Sequence, residues 1–398
     1  MNRRTVVMYV SMFAMIIAFV IWSMMSPIAP QIAKEYHLSV FQKSILIATP
    51  VLLGSILRIP VGMVTDRCGG RRVYTILLIY LVIPLIGLGF AHSFGWIVFW
   101  EVLLGVAGAS FAVGIGHVSA WYPSDKQGLV LGVTALGNIG SAVAGFLVPM
   151  MFLHLGFQSM VNVLLIPVVL AAALVWFFTR DPHITSAAQQ RSKAQAQVRE
   201  EKSQAKFWSK PSLWILSAYY FLTFGGFVAF GNYLPTLLQS QFGLQPVDAG
   251  LRASGFVILA TVMRPLGGYL ADRIRSKYLL AVVFIGLTIF AALFAFSLSD
   301  MAWTTISALF IALLLGLGNG TVFKVVPESF PKQTGKATGI IGAIGGIGGF
   351  FPPLVMGAIK QATGSFGGGL LLLAGCSFVV LILIFLSARK ADAYASSN

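Results

Sequence analysis

The stretch Ser55-Ile56-Leu57-Arg58-Ile59-Pro60-Val61-Gly62-Met63-Val64-Thr65-Asp66-Arg67 places a guanidinium inside an otherwise apolar helix. With Asp66 and Arg67 where the helix leaves the bilayer, a rise of about 1.5 Å per residue sets Arg58 roughly 12 Å inside a hydrocarbon slab about 30 Å thick. Insertion of arginine at that depth costs about 2.5 to 3.5 kcal/mol, so such a residue is expected to face a protein interior or a watery cavity and to serve function. The plain alternative is a structural arginine bonded to backbone carbonyls.

The arrangement recurs. Arg264-Pro265-Leu266-Gly267-Gly268-Tyr269-Leu270-Ala271-Asp272-Arg273 repeats Arg58, Gly62, Asp66 and Arg67 as Arg264, Gly268, Asp272 and Arg273, at an offset of 206 residues. Two such arginines argue for a duplicated unit that brings two cations together. Parallel repeats with a substrate site at the midplane between them are a transporter plan.

Composition bounds the rest. The 398 residues are 57% hydrophobic and 10% charged, with mean hydropathy +0.86, which describes an integral membrane protein. Apolar runs predict an all-α membrane protein of twelve transmembrane helices, at roughly 6–30, 43–65, 73–91, 96–120, 127–153, 158–179, 212–239, 247–271, 279–298, 302–325, 334–360 and 366–388. The expected organisation is a six-helix half at 1–179, a cytoplasmic linker at 180–211, a second, pseudo-symmetric half at 212–388 and a cytoplasmic tail at 389–398. The linker, rich in Ala, Gln, Lys and Arg, is assigned no chemistry. Arg3 and Arg4 precede an apolar run that ends in Ser26-Pro27-Ile28-Ala29-Pro30 without a cleavage site, so it is read as an uncleaved first span.

The net charge of +15 raises nucleic acid as a partner, and its placement argues against one. Of 27 Lys and Arg, 20 fall at the termini and in the loops after even-numbered spans, which by the positive-inside rule sets both termini in the cytoplasm. The two cysteines, Cys68 and Cys376, are too far apart in the topology for a disulfide, and no metal-ligand spacing exists. No cofactor is expected, and the absence of a nucleophile-base pair or ligand cluster in the spans argues against an enzyme.

Several residues invite a role. In span five Gly128, Gly132, Gly137, Asn138, Gly140 and Gly145 share one helix, where each Gly costs about 1 kcal/mol against Ala. Close packing explains some; a bare wall that lets a small ligand touch the backbone, with Asn138 as donor, explains the cluster. Span eleven answers with Gly335, Gly339, Gly342, Gly345, Gly346, Gly348 and Gly349. Gly137, Gly345 and Gly346 are candidate wall residues. His117 is read first as a hydrogen-bonded structural histidine and only second as a titrating group. Tyr219, Tyr220, Phe221, Phe224, Phe227 and Phe230 of span seven read mostly as a lipid- or neighbour-facing surface, and span ten carries Gly316, Gly318, Asn319, Gly320 and Lys324. Lys324 is expected to snorkel or to pair with Glu328.

The twelve Asp and Glu avoid the middles of the spans, with Glu101 and Asp248 at entrances. Two buried cations without a fixed counter-charge want an anion, and the planar fork of arginine suits a planar oxyanion. Glycine walls imply a small one: an inorganic oxyanion or a one- to two-carbon carboxylate.

Gly62-Met63-Val64-Thr65-Asp66-Arg67-Cys68-Gly69-Gly70-Arg71-Arg72 resembles the signature loop of the major facilitator superfamily, a contact that latches and releases as two halves rock. Asp66, Arg67, Asp272, Arg273 and Lys324 are accordingly expected to gate. Arg58, Arg264, the Gly137-Asn138-Ile139-Gly140 run and the Gly316-to-Lys324 and Gly339-to-Pro353 stretches together resemble the nitrate/nitrite porter family of that superfamily, over nearly the whole chain. The resemblance implies Arg58 and Arg264 as anion clamps, Asn138 as a hydrogen-bonding partner, and Phe111, Tyr220 and Phe224 as rings closing over a planar anion. It implies nitrate and nitrite as ligands, moved by direct exchange or with protons, which would need a carrier such as His117 or a bound water; a monomer in the cytoplasmic membrane is expected, and the placement of the basic residues leaves no need for a nucleic-acid partner. A formate or oxalate porter is the nearest alternative, and a transporter-like anion sensor the alternative from another class.

Overall fold

The computed structural model describes residues 2–122, 124–181, 207–330 and 334–396. Among these the regular structure is helical. Eleven apolar helical segments are long enough to cross a membrane: Arg3–Glu35, Val40–Cys68, Gly70–Gly89, Phe94–Ser119, Val130–Phe178, Pro211–Phe242, Pro246–Arg273, Ser276–Phe296, Met301–Ser329, Ala337–Thr363 and Gly367–Leu386. The longest of them breaks at Gly156, whose φ of 75° and ψ of 171° lie outside the helical region, so its two arms are separate crossings and the spans among the described residues number twelve. They are called span one to span twelve in chain order, with the break at Gly156 dividing five from six. This is a multi-pass membrane protein.

Local chemistry sets the ends. Span two starts at a capping box in which Ser39 Oγ accepts from Gln42 N–H at 3.1 Å while Gln42 Oε1 accepts from Ser39 N–H at 2.8 Å. Asp300 caps span ten by accepting from the N–H groups of Ala302 and Trp303 at 2.8 and 3.2 Å. Gly243 and Gly364, both left-handed, close spans seven and eleven. Span one departs from its expected end: the Ser26–Ile28 turn leads straight into a helix over Ala29–Glu35, because Pro27 and Pro30 occupy first-turn positions where a missing N–H does no harm.

The arginine-bearing helices are held by glycine contacts. Span two lies so near span four that a Cβ on Gly54 would stand 2.5 Å from the Gly105 carbonyl oxygen, and one on Gly105 2.7 Å from that of Pro50. Span eight meets span ten likewise, where a Cβ on Gly316 would stand 2.6 Å from Met263 Cβ and one on Gly320 2.7 Å from Gly268 N. Only bare backbone allows such approach, and dispersion over those surfaces is what holds helices together in lipid.

Hydrogen bonds joining the first six spans to the last six gather at the end remote from Arg67 and Arg273. There Ser26 Oγ donates to the Asn232 carbonyl. Gln31 Nε2 donates to Gln239 Oε1 at 2.6 Å, and Gln239 Nε2 to the Pro27 carbonyl at 3.1 Å. Lys43 Nζ donates to Ser240 Oγ at 3.3 Å, Ser44 and Tyr233 share a bond at 3.3 Å, and Phe41 N–H donates to Gln361 Oε1 at 3.0 Å. Nearer the middle, Ser254 Oγ donates to the Ala142 carbonyl at 2.7 Å.

Of the expected linker, 182–206 lie outside the described residues. Its first residues, assigned no chemistry from sequence, do have partners: Asp181 accepts the Arg71 N–H at 2.9 Å and lies 3.7 Å from His117 Nε2. Glu101, expected at a span entrance, is 1% exposed, because its helix begins at Phe94 and carries it roughly 10 Å inward.

Candidate functional site

Span two carries Arg58 to the middle of the bundle, where the residue is 4% exposed. Its Nε donates to the Gly108 carbonyl at 3.2 Å and its Nη1 to the Gly342 carbonyl of span eleven at 3.4 Å, while Nη2 has no hydrogen-bond partner. Gly108 belongs to a tight 3-10 segment, Gly105–Ala109, that interrupts span four beside the arginine. Arg264 of span eight is half-buried as a residue, but its Nε and Nη2 are shielded from solvent and unpartnered.

The two guanidinium groups converge on one ring. Arg58 Cζ stands 5.1 Å from the Phe224 centroid and Arg264 Cζ 5.2 Å from it. Phe111 covers Arg58 at 5.3 Å, and Phe227 covers Arg264 at 4.6 Å. Tyr220 stacks on Phe224 with centroids 4.9 Å apart and planes 2° from parallel, and Phe323 meets Tyr220 edge-on at 4.8 Å. Each desolvated cation–ring contact is worth about 2 kcal/mol, enough to hold the guanidiniums but too little to replace a counter-ion. Among the described residues no carboxylate pairs with either arginine.

Asn138 sits where span five tightens into the 3-10 turn Leu136–Ile139; it is 1% exposed, with neither Oδ1 nor Nδ2 partnered. The wall glycines divide. A Cβ on Gly346 would stand 2.9 Å from Ser55 Cβ and 3.2 Å from Arg58 Nη1, and one on Gly345 2.8 Å from Tyr220 Cε1, so both border the arginine–aromatic cluster. Gly137 does not: a Cβ there would meet Met15 Cβ at 2.6 Å. Its expected place on the ligand wall is corrected to a packing contact with span one, since Gly137 and Gly140 share the face that span one covers.

The residues expected to gate lie at the basic ends of spans two, eight and ten. Lys324 Nζ pairs with Asp272 across spans eight and ten, and with Glu328 on its own helix at 3.5 Å. The pairing with Glu328 expected from sequence is thus joined by a closer one, because Gly320 lets the two helices approach. Arg273 Cζ lies over the Tyr269 ring at 4.5 Å. Asp66 and Arg67 are exposed, with Asp66 Oδ1 4.0 Å from where a Cβ on Gly116 would stand. His117 is buried, with Nδ1 3.3 Å from Ser11 Oγ and Nε2 3.3 Å from the Arg180 carbonyl.

Reading by residue type left out Phe227 and Phe323 as site residues, because an aromatic run on one helix carries no sign of which members face the neighbouring arginine. It also left out Glu101.

The arginine–aromatic cluster offers three unpartnered guanidinium nitrogens, Arg58 Nη2 and Arg264 Nε and Nη2, beside flat rings and, among the described residues, without a paired carboxylate. Chemically it suits a small planar anion.

The Major Facilitator Superfamily profile matches residues 11–353. The nitrite extrusion protein of Bacillus subtilis (strain 168) is 38% identical over 392 residues, covering 98% of this chain and 96% of that one. The probable nitrate transporter NarT of Staphylococcus haemolyticus (strain JCSC1435) is 38% identical over 382 residues, covering 96% of each. Among solved structures, a bacterial homologue of the human lysosomal transporter Spinster superposes with TM-score 0.74 at 18% identity, covering 98% of this chain and 97% of that one. The human organic anion transporter MFSD10 gives 0.72 at 13% identity, covering 96% and 100%. At those identities the solved structures speak for the fold alone, and the curated relatives are named as transporters rather than enzymes. Matches of this extent make the chain a member of the nitrate/nitrite porter family of the major facilitator superfamily.

Proposed function

We propose that this protein moves nitrate and nitrite across the cytoplasmic membrane by alternating access, with the anion clamped between Arg58 and Arg264. The observation that carries the reading is the convergence of two buried guanidinium groups on Phe224 without a carboxylate partner among the described residues. An uncompensated buried charge is costly, so the anion supplies the missing partner and lets the two sets of six spans close on it. Phe111, Tyr220 and Phe224 provide flat surfaces for a planar ion, Asn138 a donor, and Gly345 and Gly346 room. The names of the relatives support nitrate and nitrite over formate or oxalate.

Both termini face the cytoplasm in this reading, on the strength of the basic loops. The far-end hydrogen bonds then close the outer side, and the Asp66–Arg67 and Asp272–Arg273–Lys324 segments form the inner gate. Every residue of the clamp comes from one chain, so a monomer suffices.

Direct exchange of nitrate for nitrite needs only the arginines. The buried Glu101, with Oε1 unpartnered, favours a second reading in which a carboxyl inside the bundle carries a proton with the anion. Proteoliposomes loaded with nitrate test both. External nitrite drives counterflow without a pH gradient if the protein exchanges; dependence of net uptake on an imposed proton gradient, lost in Glu101→Gln, marks symport. Absence of nitrate and nitrite movement under either condition refutes the porter reading.

A further inference from the structure

Asn319 of span ten is 1% exposed, and neither its Oδ1 nor its Nδ2 has a hydrogen-bond partner. An orphaned buried amide costs about 1–3 kcal/mol, so it calls for a partner the resting chain does not supply. The helix register shows where it points. Phe323, one turn on, meets Tyr220 edge-on at 4.8 Å, and Leu315, one turn back, would stand 3.1 Å from a Cβ on Gly226. Residues four apart share a face, so Asn319 looks at span seven between Tyr220 and Gly226, the turn that carries Thr223 and Phe224. Its neighbours confirm the approach: a Cβ on Gly318 would stand 2.7 Å from Thr223 Cγ2, and Gly320 lies against the backbone of Arg264 and Gly268. Thr223 is itself fully buried with Oγ1 unpartnered.

We propose that Asn319 is an anion-binding residue that favours nitrate over nitrite; this rests on the porter reading above. A carboxamide placed between a guanidinium and an anion uses both ends, its carbonyl accepting from the cation and its NH₂ donating to the anion. Nitrate presents three equivalent oxygens in a plane. The two guanidiniums meet two of them, and the third needs a donor from another direction. Nitrite has only two oxygens, which the arginines satisfy by themselves. A buried donor aimed at the third oxygen therefore strengthens nitrate selectively, since a site polar group left unpaired penalises the ligand that lacks the matching atom. Asn138 offers a carboxamide from span five, and Asn319 offers the corresponding group from the other set of six helices.

The test is titration of nitrate, nitrite and chloride against the thermal unfolding of the purified full chain and of Asn319→Leu, with half-saturation for counterflow in proteoliposomes. The expected result is a nitrate half-saturation raised about tenfold in Asn319→Leu, nitrite changed by less than about twofold, and an unliganded midpoint equal to or above the parent's, because an orphaned amide gives way to an apolar group of similar size. Asn319→Ser, which keeps a hydroxyl donor, retains part of the preference. Equal weakening of both anions, or a lower unliganded midpoint with an unchanged nitrate-to-nitrite ratio, overturns the assignment of Asn319 and leaves the porter intact. If Asn319→Leu does not fold, a Ser variant with the parent's ratio overturns it equally. A parent chain stabilised by neither nitrate nor nitrite overturns the porter reading and this inference with it.

Discussion

Asp181 accepts the backbone N–H of Arg71 at 2.9 Å and so fastens the end of span six to the start of span three. The contact works as a cap, satisfying a first-turn N–H that the helix itself leaves open. Gly69, with φ of 89°, lets the chain turn under the carboxylate. Asp181→Ala is expected to cost about 1 kcal/mol, a fall of about 2 °C in the unfolding midpoint, with Asp181→Asn recovering most of it. Equal midpoints for the parent and the Ala variant would show that the contact contributes nothing.

The clamp assignment depends on geometry as well as charge. Arg58→Lys and Arg264→Lys each keep the cation but lose the planar fork, so each is expected to lower nitrate counterflow at least about tenfold while the protein still reaches the membrane. Vesicles with matched protein content decide the matter; normal rates in both variants remove the arginines from the site.

Phe224 touches both cations, but it is also fully buried, so Phe224→Ala confounds binding with a cavity worth about 3–5 kcal/mol. Phe224→Leu retains more of the volume and removes the ring. It is expected to weaken nitrate severalfold with a smaller loss of thermal stability, measured on the same samples. Unchanged half-saturation in that variant would show the ring to be packing alone.

Gly346 and Gly339 form a matched pair on span eleven. A Cβ at 346 meets Ser55 and Arg58, whereas one at 339 meets nothing within 4 Å. Gly346→Ala is expected to abolish most transport by displacing the Arg58 side chain. Gly339→Ala is expected to leave transport intact and to add up to about 1 kcal/mol of helix stability. Comparable activity in the two variants would contradict this placement.

The sequence made the twelve crossings legible, because apolar length is a local property, and even the break between spans five and six falls where Gly156 interrupts 127–179. It also pointed to both arginines, since a charge in the middle of an apolar run is conspicuous. What escaped was relational. Gly137 and Gly346 look alike in the chain, yet one packs on Met15 and the other borders Arg58. Phe227 and Phe323 become site residues only through the angle at which spans seven, eight and ten meet. Asp181 acquires partners in Arg71 and His117 that lie 110 and 64 positions away. Glu101 was misplaced by the few residues that decide whether a carboxylate is at a surface or beneath it.

The bonds that seal the far end are made by hydroxyls, amides and one lysine on a serine, without a described carboxylate, whereas the opposite end carries Lys324 on Asp272 and Glu328. Dissolved electrolyte weakens exposed opposite charges and leaves neutral dipoles nearly untouched. Raising ionic strength on one face of the vesicle at a time should therefore loosen the charged tie between spans eight and ten, which lies within the last six spans, while barely altering the largely uncharged seal between the two sets of six, giving the two faces of one transporter different sensitivities to salt.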